Sequence, residues 1–450
     1  MIKNNLIKDI YNDVKNRATL YGNHLLVVYA FVSPMYNRAI SAVIFLLLAL
    51  FLIRGDYKKY LIEALSNKIV QALILFVLVN YIWLIGSDDA KMAKIILSNM
   101  KYYLYPILIL SFVDKRFVFR IIYAFIIGML LSEFISYLIH FDILPYKLIL
   151  FNKLIYEAQG INNPAPFLDH YFYNTLLSIV VSILLYNLLV NKNNIYIKLV
   201  SMFFIATASI NLILVGGRIG YIIYAVLILS TLFSIYRKKF FYIVLPMAIV
   251  LISSFFYFSY QNGGLFKDRI DQAISDKQKL MQEKPNYHTS IGARIGMWKY
   301  SIEVIKDNFI FGVGTGDFKT EMLKKTPKEH KFLSTWQQPH NEYIKHFVQF
   351  GLVGFLVFLN IFYQIFRTKN NNKDVQIYLY IFGIALMIMI STNQLLKPIL
   401  LVFMLLLSVA SAKANFLEKR DTKINKKVIS FYAIASILAI LMDLAQRQSV

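Results

Sequence analysis

The chain has 450 residues, of which 58% are hydrophobic and 16% are charged, and its formal net charge is +23. A soluble protein of this length carries about a quarter charged residues. The repeated apolar runs are long enough to cross a bilayer and instead predict an all-α polytopic membrane protein. Most Lys and Arg residues stand in short loops between these runs, so topology and membrane lipids explain the charge without a nucleic-acid partner. The chain contains no cysteine, which excludes disulfides and thiolate metal sites.

Apolar runs follow one another along the chain after a polar, basic N-terminal segment, residues 2–17. That segment lacks the apolar core of a signal peptide, so insertion is expected to rely on the first spanning helix. The runs cover approximately residues 19–32, 40–53, 69–85, a fourth ending near 113, 121–141, 170–190, 197–215, 219–235, 240–260, 343–366, 377–390, 399–409 and 428–444. We expect about twelve transmembrane helices from the earlier runs, and the last run is either a thirteenth span or an interfacial helix.

Basic loops follow every second run, and this regularity predicts the topology. Both ends of the twelve-span core are expected in the cytoplasm, with the long polar segment between the ninth and tenth runs outside. The predicted organisation is spans one to nine in residues 1–260, an external loop in 261–340, spans ten to twelve in 341–412, and a basic cytoplasmic segment with the terminal apolar helix in 413–450.

The external loop, residues 261–340, is called the lid below. Loops longer than about 15 residues without structure are uncommon unless they are functional. One part of the lid has helical periodicity, because five apolar residues share a helix face: Ile291, Ile295, Trp298, Ile302 and Ile305. This pattern predicts an amphipathic helix that lies on the membrane or caps the bundle. The alternative is a lid without chemistry.

The stretch PHNEYIKHFVQFGLVG, residues 339–354, stands where the chain re-enters the membrane after the lid. Its density of hydrogen-bonding groups around His340 favours a functional site, since ionisable groups at membrane depth usually have a function. The alternative is a polar helix start with interfacial anchors. Gly351 and Gly354 are expected on one face of a single helix.

Two arginines are further candidates for a site. Arg218 follows Gly216 and Gly217 at the outer end of a helix pair, where glycine allows close approach of the backbone and the guanidinium matches phosphate oxygens. A lone arginine at a helix end also commonly reaches the lipid headgroups. Arg294 stands one helical turn before Trp298, and a surface salt bridge is its alternative.

The remaining motifs carry less information. FGVGTGDF, residues 311–318, lacks the Lys-Ser/Thr pair of a phosphate-binding loop and predicts a turn after a helix. Asp169 and His170 begin the sixth run, where a polar helix start is the simplest interpretation. The seven histidines and the sparse carboxylates show no spacing typical of zinc or magnesium sites. An enzyme with this sequence is therefore expected to work without a metal or another cofactor.

Together, these residues predict an apolar bundle with cations, histidine and a lid on its outer side. This arrangement suits a lipid-linked anionic substrate. The sequence also resembles the O-antigen ligase family within the O-antigen ligase/polymerase superfamily. The resemblance is carried by GGRIG at 216–220, ARIGMW at 293–298, GVGTGDF at 312–318, PHNEY…FGLVG at 339–354, and DHYFYN at 169–174, which is typical of the ligase branch.

The resemblance implies a metal-independent, inverting transfer of a polysaccharide from undecaprenyl pyrophosphate to a sugar of the lipid A core, at the periplasmic face of the bacterial inner membrane. It implies that Arg218 and Arg294 bind the pyrophosphate and stabilise the leaving group, and that His340 orients or deprotonates the acceptor hydroxyl. The further substrate-binding candidates are His170, Gly217, Gln338, Asn341 and Glu342.

Three other functions stay open. An O-antigen polymerase would use the same donor, and a protein O-oligosaccharyltransferase of the same superfamily would accept a serine or threonine. A transporter of lipid-linked sugars is less compatible with the sequence, because transporters hold their ionisable groups near the bilayer midplane.

Overall fold

The computed structural model describes residues 2–36, 39–150, 152–192, 194–282, 285–417 and 424–445, with side chains described from residue 11 onward. Parts of two predicted segments therefore lie outside the described residues. These parts are the side chains at the start of the basic N-terminal segment, and residues 418–423 and 446–450 of the basic C-terminal segment.

The described residues form α-helices almost throughout. The helices are α1 (Ile2–Val32), α2 (Ala39–Arg54), α3 (Tyr57–Ser66), α4 (Lys68–Ile82), α5 (Ala90–Met100), α6 (Tyr105–Leu110), α7 (Val118–His140), α8 (His170–Val190), α9 (Ile195–Val215), α10 (Arg218–Tyr236), α11 (Leu245–Gln261), α12 (Gly264–Leu280), α13 (Ser290–Asp307), α14 (Phe318–Lys325), α15 (Glu342–Arg367), α16 (Lys373–Met389), α17 (Lys397–Ser411) and α18 (Lys426–Ala445). One antiparallel hairpin of β1 (Lys147–Leu150) and β2 (Lys153–Glu157) departs from the all-α prediction.

Seven helices in the described ranges are long and apolar enough to cross a membrane, and the bent pair of α3 and α4 would make eight. The seven are α7, α8, α9, α10, α11, α15 and α18, with α7 and α11 counted together with the short helical turns that precede them. The chain is therefore an α-helical, polytopic membrane protein. The predicted count of about twelve spans stays a prediction, because α2 and α17 are shorter apolar helices.

Two predicted runs differ from single straight helices. The third run begins at a sharp corner, since α3 and α4 meet at 86° around Asn67. The fourth run is divided into α5, a 3₁₀ turn (Lys101–Leu104) and α6, with Pro106 in the first turn of α6. Proline has no backbone N–H and fits only the first turn of a helix, so a new helix begins there.

The core lies around α8 and α17. Helix α8 packs against α7, α9, α10 and α16, and every residue of α17 from Ile399 to Ser411 is buried. The last helix, α18, packs against α1 and α2, where the Tyr432 hydroxyl lies 2.8 Å from Nδ1 of His24. Helix α18 passes the length and composition test for a membrane span, which is compatible with a thirteenth span.

Helix α15 is broken at Gly351, which has φ 58° and ψ −165°. The prediction that Gly351 and Gly354 lie on one face of a continuous helix is therefore wrong. Residues 309–314 of the lid fill the break: the amides of Val313 and Gly314 donate to the carbonyls of residues 348 and 349, and the carbonyls of residues 309 and 310 accept from the amides of residues 352 and 353. The glycine-rich motif is thus a turn after α13, as predicted.

The lid consists of α12, α13, α14 and a 3₁₀ helix (Lys328–Thr335). Residues of α13, α14 and α15 share a small apolar core around Met297 and Met322. In α13 the buried face consists of Gly292, Ala293, Gly296, Met297, Tyr300, Ser301 and Val304. The predicted isoleucine stripe lies opposite, with Ile295 and Ile302 exposed. Small residues let α13 approach the protein closely, and the exposed side chains of Ile295 and Ile302 suit an apolar surface such as that of a membrane.

Candidate functional site

A cavity of about 430 Å³ lies where the lid meets the ends of α8 and α10. The start of α8, the turn between α9 and α10, the inner face of α12, the start of α13 and the segment between α16 and α17 form its walls. The cavity brings Arg218, Arg294 and His170 together, although they are far apart in the sequence. It therefore unites three of the residues selected from the sequence.

Glycines at the turn between α9 and α10 place Arg218. Gly216 ends α9 in a left-handed conformation with φ 76°, which favours glycine. A Cβ on Gly217 would lie 3.0 Å from the carbonyl oxygen of His170, and one on Gly220 would lie 2.3 Å from Cβ of Asn174. Because these glycines have no side chain, α10 can pack closely on α8. Gly217 therefore approaches the neighbouring helix, and this contact fixes Arg218 beside His170.

The Arg218 guanidinium contacts α12. Its Nη2 donates to Oε1 of Gln272 at 2.7 Å, and its Nη1 lies 4.0 Å from Oδ2 of Asp276. The Arg218 side chain is 26% exposed, so the guanidinium is held by the lid while part of it still faces the cavity. Gln272 and Asp276 were not selected from the sequence.

Helix α12 contributes a polar face that the sequence analysis missed. Arg269, Gln272, Asp276 and Lys279 line the cavity, and they follow one another at helical spacings of three or four residues. Phe266, one turn before Arg269, is buried against Tyr221 and Phe256 and anchors this helix on α10 and α11. The sequence feature that could have indicated this face is the row of charged residues in α12 next to an aromatic residue that is buried.

Arg294 extends from the first turns of α13 into the same cavity. Its Nε is buried without a hydrogen-bond partner among the described residues, and the same is true of Nε of Arg269. Burial and the nearby Arg218 lower the pKa of Arg294 from its usual range. The side chain remains charged at neutral pH, since an arginine pKa is far above 7. A partly buried guanidinium whose buried Nε has no partner among the described residues favours an anionic ligand.

His340 precedes α15. It is near enough to Arg294 for that charge to act on its imidazole, but it is not one of the residues that line the cavity. Its backbone has φ 51°, in the left-handed region that few non-glycine residues adopt, and such strain is common at functional sites. Its ring packs on Trp336 at 5.0 Å between centroids, and the carbonyl of Pro339 accepts a hydrogen bond from Nε1 of Trp298 at 2.8 Å. Burial and the charge of Arg294 lower the His340 pKa to about 4, so the imidazole is neutral near pH 7.

Asn341 and Glu342, which follow His340, have structural contacts instead of facing the cavity. Asn341 caps α15, since its Oδ1 accepts from the amide of Ile344 at 3.0 Å. Glu342 is buried and accepts from the amide of Leu395 at 3.0 Å, from Lys345 at 3.0 Å and from His346 at 3.1 Å. Glu342 thus ties α15 to the segment that places Thr392 and Asn393 in the cavity wall. Gln338 has a buried Oε1 without a partner in the described part of the chain.

The cavity is strongly electropositive. Among its described lining residues, Arg218, Arg269, Arg294 and Lys279 are cationic, and Asp276 is the carboxylate. Guanidinium groups bind phosphate oxygens with paired, charge-assisted hydrogen bonds. The arrangement is suited to a ligand with several negative charges, such as a diphosphate, with the neutral His340 ring close to Arg294.

The chain is similar to known proteins over part of its length. Residues 202–359 match the model of the family described as O-Antigen ligase. A 169-residue segment of the chain is 31% identical to an uncharacterized protein of Haemophilus influenzae, over 36% of this chain and 41% of that relative. The chain thus matches less than half the length of that relative. The family match contains Arg218, Arg269, Arg294 and His340, and it supports the O-antigen ligase family within the O-antigen ligase/polymerase superfamily.

Proposed function

We propose that this chain, whose residues 202–359 carry the O-antigen ligase match, is a membrane glycosyltransferase that acts as an O-antigen ligase at the periplasmic face of the bacterial inner membrane. Its donor is a glycan on undecaprenyl pyrophosphate, and its acceptor is a sugar hydroxyl of the lipid A core. The observation that carries this proposal is the convergence of Arg218, Arg269 and Arg294 in one cavity.

The arginines act on the leaving group. In the transfer, the acceptor oxygen attacks the anomeric carbon from the face opposite the diphosphate, and the bond between that carbon and the diphosphate oxygen breaks. The bonding electrons leave with the diphosphate, where the three guanidinium groups stabilise the developing charge. These cations neutralise the diphosphate, so in the proposed mechanism the chain's own side chains provide this charge stabilisation without a metal.

His340 acts on the acceptor hydroxyl. A neutral imidazole can accept a hydrogen bond from the hydroxyl and take its proton as the new bond forms. The bound diphosphate offsets the charge of Arg294, which is one cause of the low His340 pKa. Donor binding therefore raises the proton affinity of His340 and makes it a better base when the reaction is ready to proceed.

The experiment is a paired analysis of a deletion strain, in which lipopolysaccharide and undecaprenyl-linked glycans are extracted from the same culture. For a ligase, long glycans accumulate on the lipid carrier and the core stays bare, and the wild-type gene restores the ladder. Single repeats on the core would identify a polymerase instead. An unchanged ladder would contradict both assignments and favour protein glycosylation or transport.

A matched pair of variants links this phenotype to the cavity. Arg218→Ala should fail to restore the ladder, whereas Arg237→Ala, at the opposite end of α10, should restore it. Both proteins must be present in the membrane at wild-type amounts. Equal restoration of the ladder by the two variants would show that the phenotype does not depend on the cavity.

A further inference from the structure

A second cavity, of about 260 Å³, lies beside the cation-lined cavity. The loop after β2, the start of α8, and Leu396 and Pro398 before and within α17 form its walls. His170 lines both cavities. The segment between α16 and α17 also contributes to both, since Thr392 and Asn393 belong to the first wall and Leu396 to the second. The two cavities are therefore neighbours that share a wall.

Two polar groups of this second cavity lack partners. Asn163 is 7% exposed, and its Nδ2 donates to Oε1 of Gln159 at 2.6 Å. In the described part of the chain, Oδ1 of Asn163 has no hydrogen-bond partner, and neither does the buried Nδ1 of His170. Buried polar atoms are normally paired. An unpaired amide oxygen in the wall of this cavity, and an unpaired ring nitrogen in the wall that it shares with the first cavity, favour a ligand that carries hydroxyl groups.

The charge of the second cavity differs from that of the first. Its ionisable residues besides His170 are Glu157 and Asp169, and Lys147 pairs with Glu157 at 3.0 Å. Asp169 accepts from the Tyr171 hydroxyl at 3.2 Å and is exposed. Carboxylate and amide groups bind hydroxyls, whereas a free carboxylate repels an anionic ligand. The rings of Phe167 and Phe172 add apolar surface for the faces of a sugar.

We propose that the second cavity is a subsite for an uncharged saccharide ring, next to the cavity that takes the diphosphate. The proposal deepens the proposed function, on which it rests for the origin of the sugar. The ring belongs either to the donor glycan or to the acceptor glycan, since both must come close to the diphosphate during transfer. The shared chemistry is a neutral, hydroxyl-rich ring.

The test measures binding to the full-length chain in lipid nanodiscs. The probes are two delipidated, dephosphorylated oligosaccharides, one from the lipid-linked donor and one from the core acceptor, and inorganic pyrophosphate. Saturation-transfer NMR reports the oligosaccharides, and calorimetry reports pyrophosphate. The variants are Asn163→Ala and Asp169→Asn, with Asn162→Ala as the matched control, because Asn162 is an exposed neighbour outside the cavity wall. Asp169 is exposed, so its variant keeps the test valid even where Asn163→Ala fails to fold.

We expect Asn163→Ala to weaken binding of one oligosaccharide at least tenfold and Asp169→Asn at least threefold. Pyrophosphate affinity should stay within twofold of wild type, and Asn162→Ala should change neither. The oligosaccharide that loses affinity identifies the donor or the acceptor as the source. Wild-type oligosaccharide binding by both cavity variants would overturn the proposal. Absence of pyrophosphate binding to the wild-type chain, with saccharide binding retained, would instead count against the proposed function and support the saccharide site.

Discussion

The arginines of the cavity differ in how firmly the protein holds them. Arg218 is bonded to Gln272, and the same Gln272 oxygen accepts from Nη1 of Arg269 at 3.4 Å. Arg294 and Arg269 each have a buried Nε without a partner among the described residues. A ligand with several phosphate oxygens would satisfy those groups. Arg269, which the sequence analysis did not select, should therefore matter as much as the arginines that it did select.

Arg269→Ala should reduce glycan transfer by roughly 10- to 100-fold, because a charge-assisted hydrogen bond contributes about 1.5–3 kcal/mol. The control is Lys277→Ala, which removes a charge from an exposed position of the same helix outside the cavity wall. Transfer is measured with purified protein and lipid-linked donor. If both variants lose the same activity, the effect comes from the general charge of α12 and not from the cavity.

The pKa of His340 predicts a pH effect on stability. It lies near 4 in the folded protein and near 6.5 when the residue is unperturbed, so the unfolded chain binds the proton more tightly. The free energy of unfolding should therefore fall as the pH is lowered from about 6.5 to about 4. Thermal melting of wild type and His340→Asn in detergent measures this effect. His340→Asn should lose less stability over that interval, and parallel curves would contradict the assignment.

At the scale of elements, the exchange between α15 and the lid is the main structural feature. In an unbroken helix, the amides of residues 352 and 353 would donate to the carbonyls of residues 348 and 349. The break at Gly351 frees these four groups, and residues 309–314 bond to each of them. The first turns of α15 and the lid are therefore parts of one hydrogen-bonded unit. His340 precedes these turns.

Gly351→Ala should disrupt that unit. An added Cβ would lie 2.4 Å from the carbonyl carbon and oxygen of Ile310, in a residue with φ 58°. We expect the free energy of unfolding to fall by roughly 2–3 kcal/mol, with loss of transfer. Gly86→Ala is the control, because Gly86 has φ 88° but nothing within 4 Å of the added Cβ. The control should lose about 1 kcal/mol from backbone strain alone. Equal melting temperatures for the two variants would refute the role of the Ile310 contact.

The sequence predicted the positions of the helices better than it predicted which sides of the helices are buried. Hydrophobic runs gave α7 to α11 and α15, and the glycine turn gave the start of α10 at Arg218. The apolar stripe of α13 was predicted but its buried face was not, because Gly292, Ala293 and Gly296 pack closely without being apolar enough to mark a buried stripe. Arg269 was missed because only tertiary packing shows that α12 faces the cavity. The break at Gly351 could not be predicted, since it depends on a segment about 40 residues earlier.

At the scale of the whole molecule, the described residues include two separate concentrations of positive charge. One is the cavity beneath the lid. The other surrounds a cavity of about 730 Å³ lined by Lys68, Arg367, Lys369 and Lys413, which come from loops that the topology prediction places in the cytoplasm. The structure thus groups residues that were predicted to share one side of the membrane, while the lid groups with the acidic turn before α5 through Asp317 and the amides of residues 88 and 89.

The absence of native cysteine makes the orientation directly measurable. In intact cells with a permeable outer membrane, a membrane-impermeant maleimide should label Lys279→Cys in the lid, and it should label Lys369→Cys only after the inner membrane is opened. Both positions are exposed. The unaltered chain provides the blank. The reverse order of labelling would invert the topology and place the proposed chemistry in the cytoplasm.

The bond exchange at Gly351 also has a consequence for biogenesis. The lid precedes α15 in the chain, and the carbonyls of residues 348 and 349 and the amides of residues 352 and 353 have no helical partners of their own once α15 is bent. Unpaired backbone groups are costly in lipid. The bend in α15 can therefore become stable only after residues 309–314 have reached it, and in the proposed topology this requires export of the lid before the last spans settle in the membrane.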